Sequence, residues 1–381
     1  MKVSDDYINN VKRQLNLVVF CTILLIPTVS SSIYAQMLHD TVAVRRIKEG
    51  VDYMYNLEFD KAEKIFSAVE KLYPGHPVYY LLKGIYSYWE KYPMLPTSEA
   101  RESFENDLRK CIELCSDESY SEKYEAESLL TNVCARGLLL LFYNDNDLII
   151  KVIPLATGTY KYIRRSFDFV SSFADFYYMT GIYNYYREAY PRMNPIYKPI
   201  ASLFPPGDIV RGLSELGKAA ELSIFLKAES YALLSYIYTG FENDFIKAML
   251  YSRILVDKYP ANPYFKALHI KNLMIIKEYG QAENLIKSYR YKSGNKFLDA
   301  QILIFNGILQ EKKYSNYSLA EKYYEDGINA ITFAGDFGDE FTGYAYLGLS
   351  RICDIKGDKT GKKAYRKKGI DLLDFKKITF D

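Results

Sequence analysis

From Val44 to the C-terminus, apolar residues recur at intervals of three and four, the spacing that gathers side chains along one face of an α-helix. Runs of strict alternation, the mark of half-buried strands, are absent. The pattern predicts an all-α chain of consecutive helical hairpins. The first pairs residues 43–55 with 60–73 across a turn at 56–59, with Asp60 as N-cap. Pro74-Gly75-His76-Pro77 then ends one helix and starts the next. A second hairpin uses 78–92, a turn at 93–97 and a helix capped by Ser98. A third, at 121–143 and 146–167, rests on periodicity alone. The fourth runs from 173–190 to a return helix at 208–222. Four more follow, marked by Ser235 and Ala248, by Asn262-Pro263 and Ala282, by Gly307 and Ala320, and by Gly348 and Tyr365.

Small and aromatic residues stand at fixed distances within this pattern. Gly50, Tyr53, Ala62, Phe66 and Pro74 are separated by 3, 9, 4 and 8 residues, and Gly84 returns 34 residues after Gly50 in an equivalent apolar setting. Over residues 43–370 the chain resembles the tetratricopeptide repeat family. Residues 181–219 also resemble exported bacterial members that share a Tyr-Pro and Pro-rich insertion. The departures are Arg46 and Glu49, where the family usually has Trp and Leu, and turns of variable length. The resemblance implies a right-handed superhelical solenoid of about eight hairpins, some degenerate, because one hairpin cannot bury its apolar face alone. Residues 43–76 form the clearest repeat, and 226–381 hold the C-terminal repeats with a basic cap.

In this family the first helix of each unit lines a concave groove. Carried over unit by unit, the groove residues are Val51, Met54 and Tyr55, then Ile85, Tyr88 and Trp89, then Ile182, Tyr185 and Tyr186, then Tyr236. Aromatic side chains in such a groove either anchor a protein or peptide partner or fill a tight superhelical interior. Residues 191–207 interrupt the pattern with five prolines, and their apolar Ile196, Tyr197, Ile200, Leu203 and Phe204 predict a loop folded back on its flanking helices beside Tyr185 and Tyr186.

At the N-terminus, Lys2, Lys12 and Arg13 precede the apolar run 17–26, Pro27 and small Ala35, which reads as a secretory signal peptide over residues 1–35. An uncleaved anchor over 15–33 is the alternative. Cys21 follows Val18-Val19-Phe20 and lies inside the apolar run, so it lacks the setting of a lipidated cysteine. These features place the protein in the periplasm or loosely on an envelope membrane. With 49 basic and 47 acidic residues the chain has no general affinity for nucleic acid. Its 38 tyrosines suit helix packing and binding surfaces alike. Cys111, Cys115, Cys134 and Cys353 sit among Leu, Ile and Val and read as buried thiols.

Chemistry-bearing motifs are missing. His39, His76 and His269 lie far apart in sequence, and in a linear stack distant repeats do not touch, so a histidine metal site or hydrolase triad lacks its parts. Neither a phosphate-binding Gly-x-x-x-x-Gly-Lys-Ser/Thr loop nor a Gly-x-Ser-x-Gly elbow occurs. Glu102 and Glu105 stand beside Arg101 and Arg109 and read as a salt-bridged face. The expectation is a scaffold without catalysis, cofactor or metal that binds a protein or peptide. Glycan or cell-wall polymer binding through the tyrosines is the alternative.

Overall fold

Periodicity of three and four along so much of the chain leaves helix packing as the way to bury its apolar stripes, and the computed structural model is all-α over the described residues, 37–289 and 294–381. The expected signal segment lies outside them. Eight consecutive helix pairs pack together among the described residues. They are α1 (Thr41–Tyr55) with α2 (Phe59–Leu72), and α3 (Pro77–Glu90) with α4 (Arg101–Cys115). After the short α5 (Glu118–Lys123), α6 (Glu125–Asp145) pairs with α7 (Ile149–Ser166). Then α8 (Phe176–Met193) pairs with α10 (Ile209–Leu222), the four-residue α9 (Lys198–Ala201) lying between them. The remaining pairs are α11 (Lys227–Gly240) with α12 (Phe245–Lys258), α13 (Pro263–Ile275) with α14 (Tyr279–Ser288), α15 (Lys296–Lys312) with α16 (Tyr317–Ile331), and α17 (Asp339–Ile355) with α18 (Lys359–Asp371).

One turn recurs through this series. Leu57, Asp147, Asn243, Lys277, Ser315 and Gly357 all adopt a left-handed backbone between the two helices of a pair. In four of these turns the next N–H reaches back five residues: Glu58 to the Tyr53 carbonyl, Leu148 to Tyr143, Glu278 to Leu273 and Asp358 to Cys353, at 2.8 to 2.9 Å. That bond satisfies a carbonyl orphaned at the helix end. Five residues beyond Leu57, Asn243, Lys277 and Ser315 stand Ala62, Ala248, Ala282 and Ala320, all buried. Close packing within the pairs depends on glycine. A Cβ on Gly50 would come within 2.6 Å of the Phe66 ring, one on Gly84 within 2.5 Å of Leu108, and one on Gly181 within 2.8 Å of Leu216.

Two caps differ from those the sequence predicts. Glu58, not Asp60, stands at the N-cap of α2 and makes no side-chain cap bond, while Asp60 lies in the helix's first turn; α1 is capped by Asp40, which accepts from the Val42 and Ala43 amides. Ser98 falls three residues before α4, which has no side-chain cap. In each place the polar residue near the helix start is not the one whose backbone leaves the helix.

The stack is not linear. Units far apart in sequence touch: Lys258 pairs with Asp52 at 2.9 Å, the Tyr259 hydroxyl also donates to Asp52, and Asn262 bonds the Tyr55 carbonyl. Farther on, Asn295 donates to the Tyr92 carbonyl at 2.6 Å, and Phe375 packs against Gly240 and Tyr236. Large rings bridge distances that a purely sequential stack leaves open.

Most of the buried polar side-chain atoms are satisfied, Glu229 Oε2 and Asp107 Oδ2 being among the exceptions. His76 accepts from the Val78 amide at Nδ1, which places its proton on Nε2, 2.6 Å from Glu127. Glu127 also accepts from the Tyr120 hydroxyl and the Leu38 amide, tying the start of the described chain to α3 and α6. The four described cysteines are free thiols, three of them buried. Glu105 meets Arg101, Arg109 and Lys151, the salt-bridged face expected there.

Candidate functional site

The ten residues expected in a groove divide into two sets. Val51, Met54, Tyr55, Tyr88 and Tyr185 are buried and offer no side-chain surface to a partner. They point into the packing because the helices beside them close over that face. Tyr55 lies 5.2 Å from Tyr259 and 5.8 Å from Phe265, rings supplied from more than two hundred residues away. Ile85, Trp89, Ile182, Tyr186 and Tyr236 remain half-buried.

The second set forms two aromatic groups. Trp89 meets Tyr55 edge-on at 5.4 Å, stacks with Tyr92 at 5.5 Å and lies 6.2 Å from Tyr264. Around Phe241 gather Tyr185 at 5.9 Å, Tyr186 at 5.4 Å, Tyr236 at 6.2 Å and Phe375 at 5.5 Å. Edge contacts dominate around Phe241, whereas Trp89 combines edge, stacked and tilted neighbours.

Between them lies a desolvated surface that retains some access. Tyr178, Tyr186, Tyr236 and Tyr264 are half-buried, yet burial raises all four hydroxyl pKa values, with Tyr264 adding to the rise at the other three and Asp145 and Glu340 adding to it at Tyr264. Asp145, at the end of α6, is pushed up to about 7 by burial, opposed by a hydrogen bond from Asn144 and assisted by Asp374. These side chains are packed closely enough to lose most of their hydration while part of each stays exposed. Glu340 faces the same tyrosines and pairs with Lys271 at 2.9 Å. The arrangement brings apolar ring, phenolic hydroxyl and carboxylate together on one surface.

Tyr178, Tyr264, Phe241 and Asp145 belong to this surface without a sequence signal that marks them. Tyr264 directly follows the Asn262-Pro263 helix start, and Asp145 ends an apolar-rich helix. Neither position says which way a side chain faces.

A second constellation has the residue types of a nucleophile and base. The Ser252 hydroxyl lies 2.9 Å from His269 Nδ1. Ser252 is wholly buried, also bonds the Met249 carbonyl and accepts from Asn272, which donates to Ser235 as well. Burial lowers His269 to about 4. The group joins α11, α12 and α13 internally, and a substrate has no route to it. Among the described residues no group of His, Cys, Asp and Glu could hold a metal ion, and no helix is long and apolar enough to cross a membrane. The chain matches no known family model, and no curated protein matches it.

Proposed function

We propose that this protein is a non-catalytic interaction scaffold of the cell envelope, a superhelical solenoid of about eight tetratricopeptide-like hairpins that holds an extended protein segment against its inner aromatic surface. The recurring left-handed turn, with alanine five residues on, and the glycine contacts within the pairs support the repeat reading. The observation that carries the binding reading is the half-buried quartet Tyr178, Tyr186, Tyr236 and Tyr264, with desolvated Asp145 beside Tyr264. Half-buried tyrosines give large contact area at small entropic cost. A lysine or arginine brought beside Asp145 would restore its charge, so the surface favours a segment with basic side chains.

The glycan reading draws less support. Sugar stacking needs an open ring face, whereas the lone tryptophan, Trp89, is already enclosed by Tyr55, Tyr88, Tyr92, Tyr264 and Phe265.

The test is affinity capture from envelope extracts with the wild type and with Tyr186→Ala/Tyr236→Ala, each first checked for cooperative unfolding. The reading expects a protein retained by the wild type and lost with the double variant. Identical protein sets from two folded baits would contradict it.

A further inference from the structure

The apolar content of the segment after α8 predicts that it packs back on its flanking helices, and only Tyr197 and Phe204 of its five large apolar residues do so. Helix α8 continues through buried Pro191 to Met193, and a 3-10 turn at Pro195–Tyr197 leads into α9. Few bonds fix the segment, but they come from rigid neighbours. The Phe204 ring packs 4.6 Å from Tyr160 of α7, the Phe204 carbonyl accepts from Arg187 at 3.0 Å, and the Pro205 carbonyl accepts from the Tyr183 hydroxyl at 2.6 Å. Tyr197 rests 5.2 Å from Tyr190. With its end pinned and its φ angles restricted by proline, the segment turns Ile196 (81% exposed), Leu203 (78%) and Ile200 (54%) into solvent. On α7, which Phe204 touches, Ile150 (91%) and Ile153 (60%) are exposed as well.

Charge tells what this face suits. Residues 149–166 contain Lys151, Lys161, Arg164 and Arg165 with no carboxylate, and residues 189–207 contain Arg192 and Lys198 with none, in a chain otherwise balanced at 49 basic to 47 acidic. Lys151 and Arg165 are taken by Glu105 and Glu125, and Arg192 lies 4.0 Å from Glu188. Lys161, Arg164 and Lys198 are exposed and form no ion pair among the described residues.

We propose that the face formed by residues 190–206 and the outer side of α7 rests on an anionic lipid surface. Exposed isoleucine and leucine beside the unpaired cations Lys161, Arg164 and Lys198 match the acyl boundary and headgroups of such a membrane. An apolar protein partner would account for the isoleucines but not for the excess of unpaired cations. The segment's own helical elements, of 3 and 4 residues, are too short to cross a bilayer, so this contact lies at the lipid surface.

Chymotrypsin cleavage of the full chain after exposed Tyr197 tests this, with cleavage after exposed Tyr314 as the control. Vesicles containing phosphatidylglycerol should slow cleavage at Tyr197 and not at Tyr314, and pure phosphatidylcholine vesicles should slow neither. The basic and apolar N-terminus also favours anionic vesicles, so a glutamine variant that leaves it unchanged isolates the charged face. Lys161→Gln/Arg164→Gln/Lys198→Gln should weaken the vesicle concentration dependence roughly a hundredfold. Ile196→Ser/Ile200→Ser/Leu203→Ser should remove protection with a comparable loss. Equal protection by both vesicle types, none by either, or protection that rises with protein concentration without lipid would overturn the proposal, the last by making the face a contact between two copies.

Discussion

The side-chain amide of Asn262 donates to the main-chain carbonyl of Tyr55 at 3.0 Å, across 207 residues of sequence. The same residue caps α13, its Oδ1 accepting from the Phe265 amide at 3.1 Å. One buried side chain thus satisfies an orphan donor at the start of one helix and an orphan carbonyl at the end of another. Asn262→Ala should cost about 2 to 4 kcal/mol, roughly 1 from the cap and the rest from a carbonyl left unsatisfied. Asn262→Ser retains a cap without the reach to Tyr55, so urea midpoints should rank wild type above Ser and Ser above Ala.

Tyr324 is held between two glycines. A Cβ on Gly348 would come within 2.3 Å of its ring, and one on Gly307 within 2.6 Å. The ring cannot retreat easily, because its hydroxyl donates to Glu311 at 2.7 Å and Glu311 is bonded to Arg351. Gly348→Ala should therefore destabilise by about 1 to 3 kcal/mol from overpacking, more than the roughly 1 kcal/mol that alanine adds to helix propensity. A Cβ on Gly137 of α6 would meet no neighbouring atom within 4 Å, and Gly137→Ala should stabilise by up to about 1 kcal/mol. Thermal melts showing the same sign for both would refute the close-packing account.

Lys277 adopts φ of 64° in the turn between α13 and α14, and its side chain is exposed. A residue with a Cβ is disfavoured there, whereas Gly357 fills the equivalent turn without that cost. Lys277→Gly should raise stability by about 0.5 to 1 kcal/mol, even though glycine loses more entropy on folding. A lower denaturation midpoint would mean that the side chain does something the turn geometry does not reveal.

Burial raises Asp145 from its ordinary range to about 7, so between about pH 4 and 7 the folded chain holds a proton that the unfolded chain has released. Its contribution to stability is complete below the unfolded pKa and is lost as pH rises to the folded value. Wild type should lose about 1 kcal/mol per pH unit across that window relative to Asp145→Asn. His269, lowered to about 4, acts in the opposite sense between about pH 4 and 6.5 and is common to both proteins, so it cancels in the difference. Parallel pH profiles for the two would show that Asp145 is well solvated.

Much of the architecture is legible in the sequence because it is local. Periodicity locates even the pair α6 and α7, which has no repeat signature, and the spaced glycines Gly50 and Gly84 each lie close against a large side chain of the paired helix. What escapes depends on contacts between distant parts of the chain. Nothing near Tyr55 announces Tyr259 and Phe265, so half of the expected groove is packing. Tyr186 and Tyr236 keep partial access, while Asp145 and Tyr264 gain meaning only from what surrounds them. The 191–207 segment departs from expectation because its apolar content predicts burial, whereas the short α9 and four bonded or packed contacts suffice to hold it with Ile196 and Leu203 outside.

The central claim is that a protein segment binds along the inner aromatic surface. A photoreactive phenylalanine analogue replacing Tyr186, Tyr236 or, as an outward control, Tyr314 (48% exposed) tests it in living cells. The account predicts light-dependent adducts to the same protein from the Tyr186 and Tyr236 positions and none from Tyr314. Adducts from Tyr314 with none from the two inner positions would contradict it.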